Sequence, residues 1–190
     1  MKTSRWKHEL ERLEKNKEWL KAIRLLDHVI EESPDEVEPY VRVIYLIHNL
    51  LVEEDYESYG LNHDYLASLL LNYIQVSFGK FENNPEYLFF VGIILHIAEW
   101  YFGQDDVELA LLLQKKAVQM EPQNALYDFS YSFSMSNKAR SEELAKQLSA
   151  DGSTLAWLKT KGFPGEYVLG IIDWVNQGKM EIAATCTESG

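Results

Sequence analysis

The stretch ALLLQKKAVQMEPQNALY, residues 110–127, decides how this chain folds. It is an apolar helical pattern that stops at Pro122, with Ala110 and Ala117 seven residues apart on one face. A solitary amphipathic helix has no need of two alanines at that spacing. A helix pressed closely against another helix does, because a small side chain lets the two axes approach to roughly 8–10 Å. Proline then ends the helix, since its ring clashes with the preceding turn and it has no amide hydrogen to donate.

Working outward, helical spacing dominates the chain. Trp6, Leu10 and Leu13, then Trp19, Leu20, Ile23, Leu26 and Ile30 form apolar faces of two helices. Lys15-Asn16-Lys17 is read as the turn between them, and Ser33-Pro34 as the stop of the second. Further helices are expected over about 36–52, 64–78, 86–102 and 105–120, with Asn62 or Asp64 as a cap and Gly103 as a stop. EEDYESYGLNHD and FGKFENNP read as breaks, and SYSFSMSNK as a Ser-rich connector after a short helix that follows Asn124. Ser141–Leu148 is expected as a short helix, Ser153 or Thr154 as the next N-cap, and about 165–176 as the last helix, stopped by Gly178. No alternating strand pattern of useful length and no hairpin dipeptide occurs, so the expected class is all-α.

Self-similarity sharpens this reading. Ala22 precedes Pro34 by twelve residues, and Ala110 precedes Pro122 by the same interval. Counted back from Pro122, the chain supplies Ile94, Ile97, Ala98, Tyr101, Ala110, Gln114, Ala117 and Pro122. On these residues, 91–124 resembles a tetratricopeptide repeat, a pair of antiparallel helices; Gln114 departs from it, standing where the family has an aromatic. Residues 3–36 match through Trp6, Ala22, Leu26 and Pro34, whereas Glu9 and Val29 depart. A third unit begins with Tyr40, Val43, Ile44 and Ile47, is interrupted near 53–63 and closes at Pro85. The resemblance implies a right-handed solenoid of antiparallel helix pairs over 1–136, with an insertion loop at about 53–63. Helices over 137–178 cap it, and 179–190 form a loose tail.

Composition bounds the function. The 190 residues are 46% hydrophobic, enough for a sizeable core. A lone cysteine, Cys186, makes no internal disulfide, so a reducing, cytoplasmic setting is expected. The N-terminus has no signal-peptide pattern and no apolar run reaches the roughly 20 residues of a membrane span. The net charge of −12 is uneven: +4 over residues 1–24, −15 over 25–128 and −1 over 129–190. Such a body repels nucleic acid, whose affinity rests on phosphate contacts. It attracts a basic protein and speeds the encounter; the same charge also serves solubility.

Catalytic signatures are absent from the sequence. There is no GxxxxGK[ST] loop, no GxSxG elbow, no GxGxxG and no HExxH. His96 and Glu99, at i and i+3, admit a metal or a paired polar contact on a packed helix. His48, on an apolar helix, reads as core or groove. Cys186 has no local basic neighbour to lower its pKa. The expectation is a protein without enzymatic activity, cofactor or metal.

The tetratricopeptide resemblance implies a concave groove lined by the first helix of each pair. Its candidates are Glu38, Val41, Tyr45, His48 and Asn49 in one unit, and Gly92, Leu95, Glu99, Phe102 and Gly103 in another. Of the family's carboxylate-clamp residues, only Arg42 and Asn49 find an echo, so an acidic peptide tail is not the expected ligand. Two acidic clusters add candidates: Glu53, Glu54, Asp55 and Glu57 with Tyr56 and Tyr59 interleaved, and Asp105, Asp106 and Glu108 at a helix start. The latter also suit the helix dipole. A small acidic chain with no catalytic set is similar to the immunity proteins of bacterial toxin–immunity systems, including contact-dependent growth inhibition. That likeness implies a basic toxin domain as partner, with neither nucleic acid nor membrane. The alternative is a tetratricopeptide adaptor or chaperone that takes peptides in its groove.

Overall fold

Gln114, the residue that departs from the repeat pattern, is 1% exposed and joins three helices. In the computed structural model, which describes residues 3–52, 56–97 and 104–178, its Nε2 donates to the Gly92 carbonyl at 3.1 Å. Its Oε1 accepts from the Ser130 hydroxyl at 2.7 Å and the Ser134 hydroxyl at 3.1 Å. The described residues are all-α, with no strand among them. They fall into two compact units, 1–83 and 84–190.

The first unit contains α1 (Thr3–Lys15), α2 (Trp19–Glu32), α3 (Val37–Val52), a 3-10 turn (Tyr56–Tyr59) and α4 (His63–Phe81). The α1–α2 turn closes at Lys17, which takes a left-handed φ of 56°. The Lys17 amide donates to Glu14 and the Glu18 amide to Leu13, so two carbonyls freed at the end of α1 are satisfied. α3 is the central element and packs on both α2 and α4. Eleven of its residues are buried, Arg42 among them. The Arg42 guanidinium reaches Glu38 Oε1 at 2.9 and 3.1 Å and lies 5.4 Å from the centre of the Trp6 ring. Lys7 meets the other Glu38 oxygen at 2.6 Å, which ties α1 to α3. The Tyr73 hydroxyl donates to Asp27 and ties α4 to α2. Asn62 caps α4 by accepting from the Tyr65 amide at 3.1 Å.

The second unit contains α5 (Pro85–Ile97), α6 (Gln104–Met120), α7 (Ala125–Ser134), α8 (Lys138–Ala150), α9 (Gly152–Lys159) and α10 (Phe163–Asn176). α5 is apolar on nearly every face and buries nine of its thirteen residues. It packs most extensively on α6. A Cβ on Gly92 would stand 2.6 Å from Gln114 Cγ and 3.1 Å from the Ala110 carbonyl, so the small-residue seam foreseen at Ala110 has a glycine opposite it. Ala110 and Ala117 are fully buried. α6 stops before Pro122, and Asn124 caps α7 by accepting from Leu126 N at 3.1 Å and Tyr127 N at 3.4 Å.

Three local expectations are corrected. Much of the Ser-rich stretch is helical: Ser130, Ser132 and Ser134 belong to α7, where spacing by four turns Ser130 and Ser134 to Gln114. Serine is a weak helix former, but here its hydroxyls satisfy a buried amide. The cap before α9 is Asp151, while Ser153 and Thr154 donate to it through both amide and hydroxyl. α10 begins at Phe163, two residues early, behind Gly162 at φ 59°. Gly165 is obligatory there, because a Cβ would lie 1.9 Å from the Leu158 carbonyl. The residues expected as C-terminal caps, 137–178, lie in the second unit with α5–α7. The expected 179–190 tail, Ala98, Tyr101 and Gly103 lie outside the described residues.

Replacing Gln114 by leucine removes the acceptor of two hydroxyls and the donor to Gly92, and should cost about 1–3 kcal/mol of stability. Gly92→Ala should cost about 1–3 kcal/mol through overpacking against α6. Urea denaturation followed by circular dichroism reads both; unchanged midpoints would remove the three-helix joint from this account.

Candidate functional site

The second unit carries an open cleft where the α6–α7 turn faces the start of α9. Its walls are Glu121, Pro122, Asn124 and Leu126 on one side and Gln147, Asp151 and Thr154 on the other, around about 580 Å³. Through Asn124, Leu126 and Thr154 it continues into a hollow of about 430 Å³ bounded by Glu86, Tyr127, Ser153 and Trp157. Local sequence builds it. Pro122 forces the chain to turn after α6, and Asn124 and Asp151 then restart it as helices whose capped ends form the walls.

Its electrostatics follow from the same caps. The Asp151 carboxyl is held down to about 2, first by the Ser153 hydroxyl, then by the Thr154 hydroxyl and amide. It is therefore an anion throughout the physiological range. Glu121 Oε2 accepts from the Asn124 amide at 2.9 Å. Glu86 meets Lys161 at 2.6 Å, and that ammonium lies 4.7 Å from the centre of the Trp157 ring. Trp157 stacks on Phe90 with centroids 5.8 Å apart. Burial pushes the Tyr127 phenol well above its usual range, with Glu121 and Glu86 adding to the rise. The cleft thus offers carboxylates, amides and one half-buried indole. The two wall hydroxyls, of Ser153 and Thr154, both donate to Asp151.

The residues singled out from the sequence lie elsewhere. Glu53, Glu54, Asp55, Glu99 and Phe102 fall outside the described residues. Tyr56, Glu57 and Tyr59 form the 3-10 turn of the first unit. Tyr56 is half-buried against the His63 ring at 5.9 Å, Glu57 is exposed, and exposed Tyr59 meets Trp19 edge-on at 6.2 Å. Tyr45 is half-buried beside His48, with ring centres 6.4 Å apart. His48 itself is only 4% exposed and its Nε2 has no hydrogen-bond partner, so it is a core residue rather than part of an open groove. Val41 and Leu95 are buried as well. Arg42, the would-be clamp residue, is committed to Glu38 and Trp6. Asp105 and Asp106 lie in the first turn of α6. The cleft of the second unit escaped the sequence reading because its members are individually ordinary caps and turn residues. The one available signal was the pair of carboxylates, Glu121 and Asp151, flanking predicted helix ends.

Among the described residues, no three His, Cys, Asp or Glu side chains come together as metal ligands, and no helix is long and apolar enough to cross a membrane.

Burial lowers the His48 pKa from 6.5 to about 4. The unfolded chain therefore binds the extra proton first. Stability is complete above about pH 6.5 and should fall as the pH drops toward 4, by at most about 3 kcal/mol from this residue. Unfolding measured from pH 7 to 4 should show that slope, and His48→Leu should flatten it.

No protein-family model, curated protein or solved structure matches this chain.

Proposed function

We propose that the protein is a non-enzymatic binding module for a basic protein. In its sharper form it is an immunity protein that covers a basic toxin domain, of nuclease type, in a bacterial toxin–immunity pair such as those of contact-dependent growth inhibition. The observation that carries this reading is the cleft of the second unit: Glu121 and Asp151 line it with no lysine or arginine partner among the described residues, while Glu86 at its far end is held by Lys161. A cationic side chain entering it meets carboxylates and the half-buried Trp157, the setting in which interface hot spots form. The net charge of −15 over residues 25–128 adds long-range attraction, which raises association rates for a basic partner.

The finer architecture in this reading is a set of tetratricopeptide-like antiparallel helix pairs. Buried Ala110 and Ala117, the closeness of α5 to α6 and the stop before Pro122 support it. A second reading, an adaptor that takes a basic peptide, draws on the size of the cleft, which is on the scale of a pocket for one or two side chains.

The test pairs the purified chain with a basic toxin domain encoded beside it. Binding should weaken by about tenfold or more as salt rises from low to high. Glu121→Lys with Gln147→Lys, both at exposed positions, should weaken it by about tenfold, mainly through the association rate. The chain should also protect cells that produce the toxin. Failure both to bind and to protect would sink the immunity reading. Binding of short basic peptides as tightly as folded basic proteins would favour the adaptor.

A further inference from the structure

We propose that a second groove, between α1 and α2 of the first unit, docks a basic amphipathic helix of a partner protein. The groove encloses about 620 Å³. Its floor is apolar, made by Trp6 from α1 and by Leu25 and Val29 from α2, with Trp6 and Val29 largely covered and Leu25 partly open. Its rim carries Glu9, Glu32 and Glu36 beside the Arg5 guanidinium; Arg12 holds Glu9 at 2.7 and 3.0 Å, so Glu32 and Glu36 are the carboxylates left for a ligand.

Two features select the occupant. The first is spacing. Leu25, His28, Val29 and Glu32 stand at i, i+3, i+4 and i+7, so one continuous face of α2 flanks the groove for two turns. That is the ridge on which a third helix seats its own side chains.

The second is charge placed where folding does not want it. The C-terminal end of a helix is the negative end of its dipole and favours cations. The last turn of α2 has no basic residue and instead ends in Glu31 and Glu32, with Asp35 and Glu36 just beyond. Lys80 approaches Asp35 at 3.7 Å, and Glu32 faces the His28 ring at 3.6 Å. Lys80 also donates to the Pro34 carbonyl at 3.1 Å, yet among the described residues neither Glu32 nor Glu36 meets a lysine or arginine. A docked lysine or arginine would satisfy the dipole and the rim together, while the apolar side of the same helix covers Trp6, Leu25 and Val29. Carboxylate rim and apolar floor are thus complementary to a helix that is basic on one flank and apolar on the other.

The groove belongs to the first unit and its test does not depend on the cleft. The probe is a labelled synthetic peptide of roughly 15 residues, built from Leu, Ala and Lys with helical periodicity, the length at which an isolated helix begins to hold together. A control peptide has the same composition in an order that destroys the periodicity. Fluorescence anisotropy with the full chain should show the periodic peptide binding about tenfold tighter than the control. Glu32→Lys with Glu36→Lys should abolish that preference. The same double variant should raise the melting temperature or leave it unchanged, because it repairs the end of α2, so lost binding is not lost folding. Asp173→Lys, an exposed position of the other unit away from the cleft, should leave the preference for the periodic peptide as it was. The proposal is overturned if the periodic peptide does not bind, if both peptides bind alike, if the double variant keeps the preference, or if Asp173→Lys removes it.

Discussion

The second unit depends on one buried amide. A primary amide taken out of water must recover its hydrogen bonds inside the protein or forfeit about 1–3 kcal/mol for each group left alone. Gln114 recovers three, one with α5 and two with α7: the Gly92 carbonyl and the Ser130 and Ser134 hydroxyls. Gly92 makes this possible by leaving room for the Gln114 stem, and the small Ala110 keeps α6 close enough for the reach to be right. A hydrocarbon core alone leaves helices free to slide along one another. Three directed bonds fix the register of α5, α6 and α7, and with it the turn at Pro122 that forms one wall of the cleft.

Charge works differently in the two units. In the first, the buried Arg42 is consumed by Glu38 and stacked on Trp6, with Lys7 completing the set. That network joins α1 to α3 and takes the would-be clamp residue out of service. In the second, ion pairs lie beside the cleft, as in Lys161 with Glu86, or between neighbouring helices, as in Arg140 with Asp128, each at 2.6 Å. Glu121 and Asp151 are left on the cleft walls with no lysine or arginine partner among the described residues.

Much of this was legible in the sequence, and the rest has a physical reason for being hidden. The helical class and the breaks at Lys15–Lys17, Ser33-Pro34 and Pro122 follow from periodicity and from proline, which act within a few residues. Ala110 and Ala117 announced a close helix contact but not its partner, because Gly92 lies on another helix and nothing local links the two. Ser130 and Ser134 read as connector residues, since serine's preference for turns is overridden only when a distant amide needs its hydroxyl. His48 looked equally suited to core and groove; only the packing around α3 decides that. The cleft was invisible for a similar reason: Glu121 and Asp151 are thirty residues apart in sequence and meet only through the fold.

The near-uniform apolarity of α5 has a consequence for biosynthesis. As a ribosome makes the chain, α5 emerges with eight side chains that the finished fold hides and with none of α6, α7 or α10 yet synthesised. At about 5–20 residues per second, several seconds pass before α7 can deliver Ser130 and Ser134 to Gln114. Through that interval the nascent chain displays a sticky segment without its cover, so the second unit is the part of this protein whose yield should depend most on ribosome-associated chaperones and on translation speed through residues 98–134.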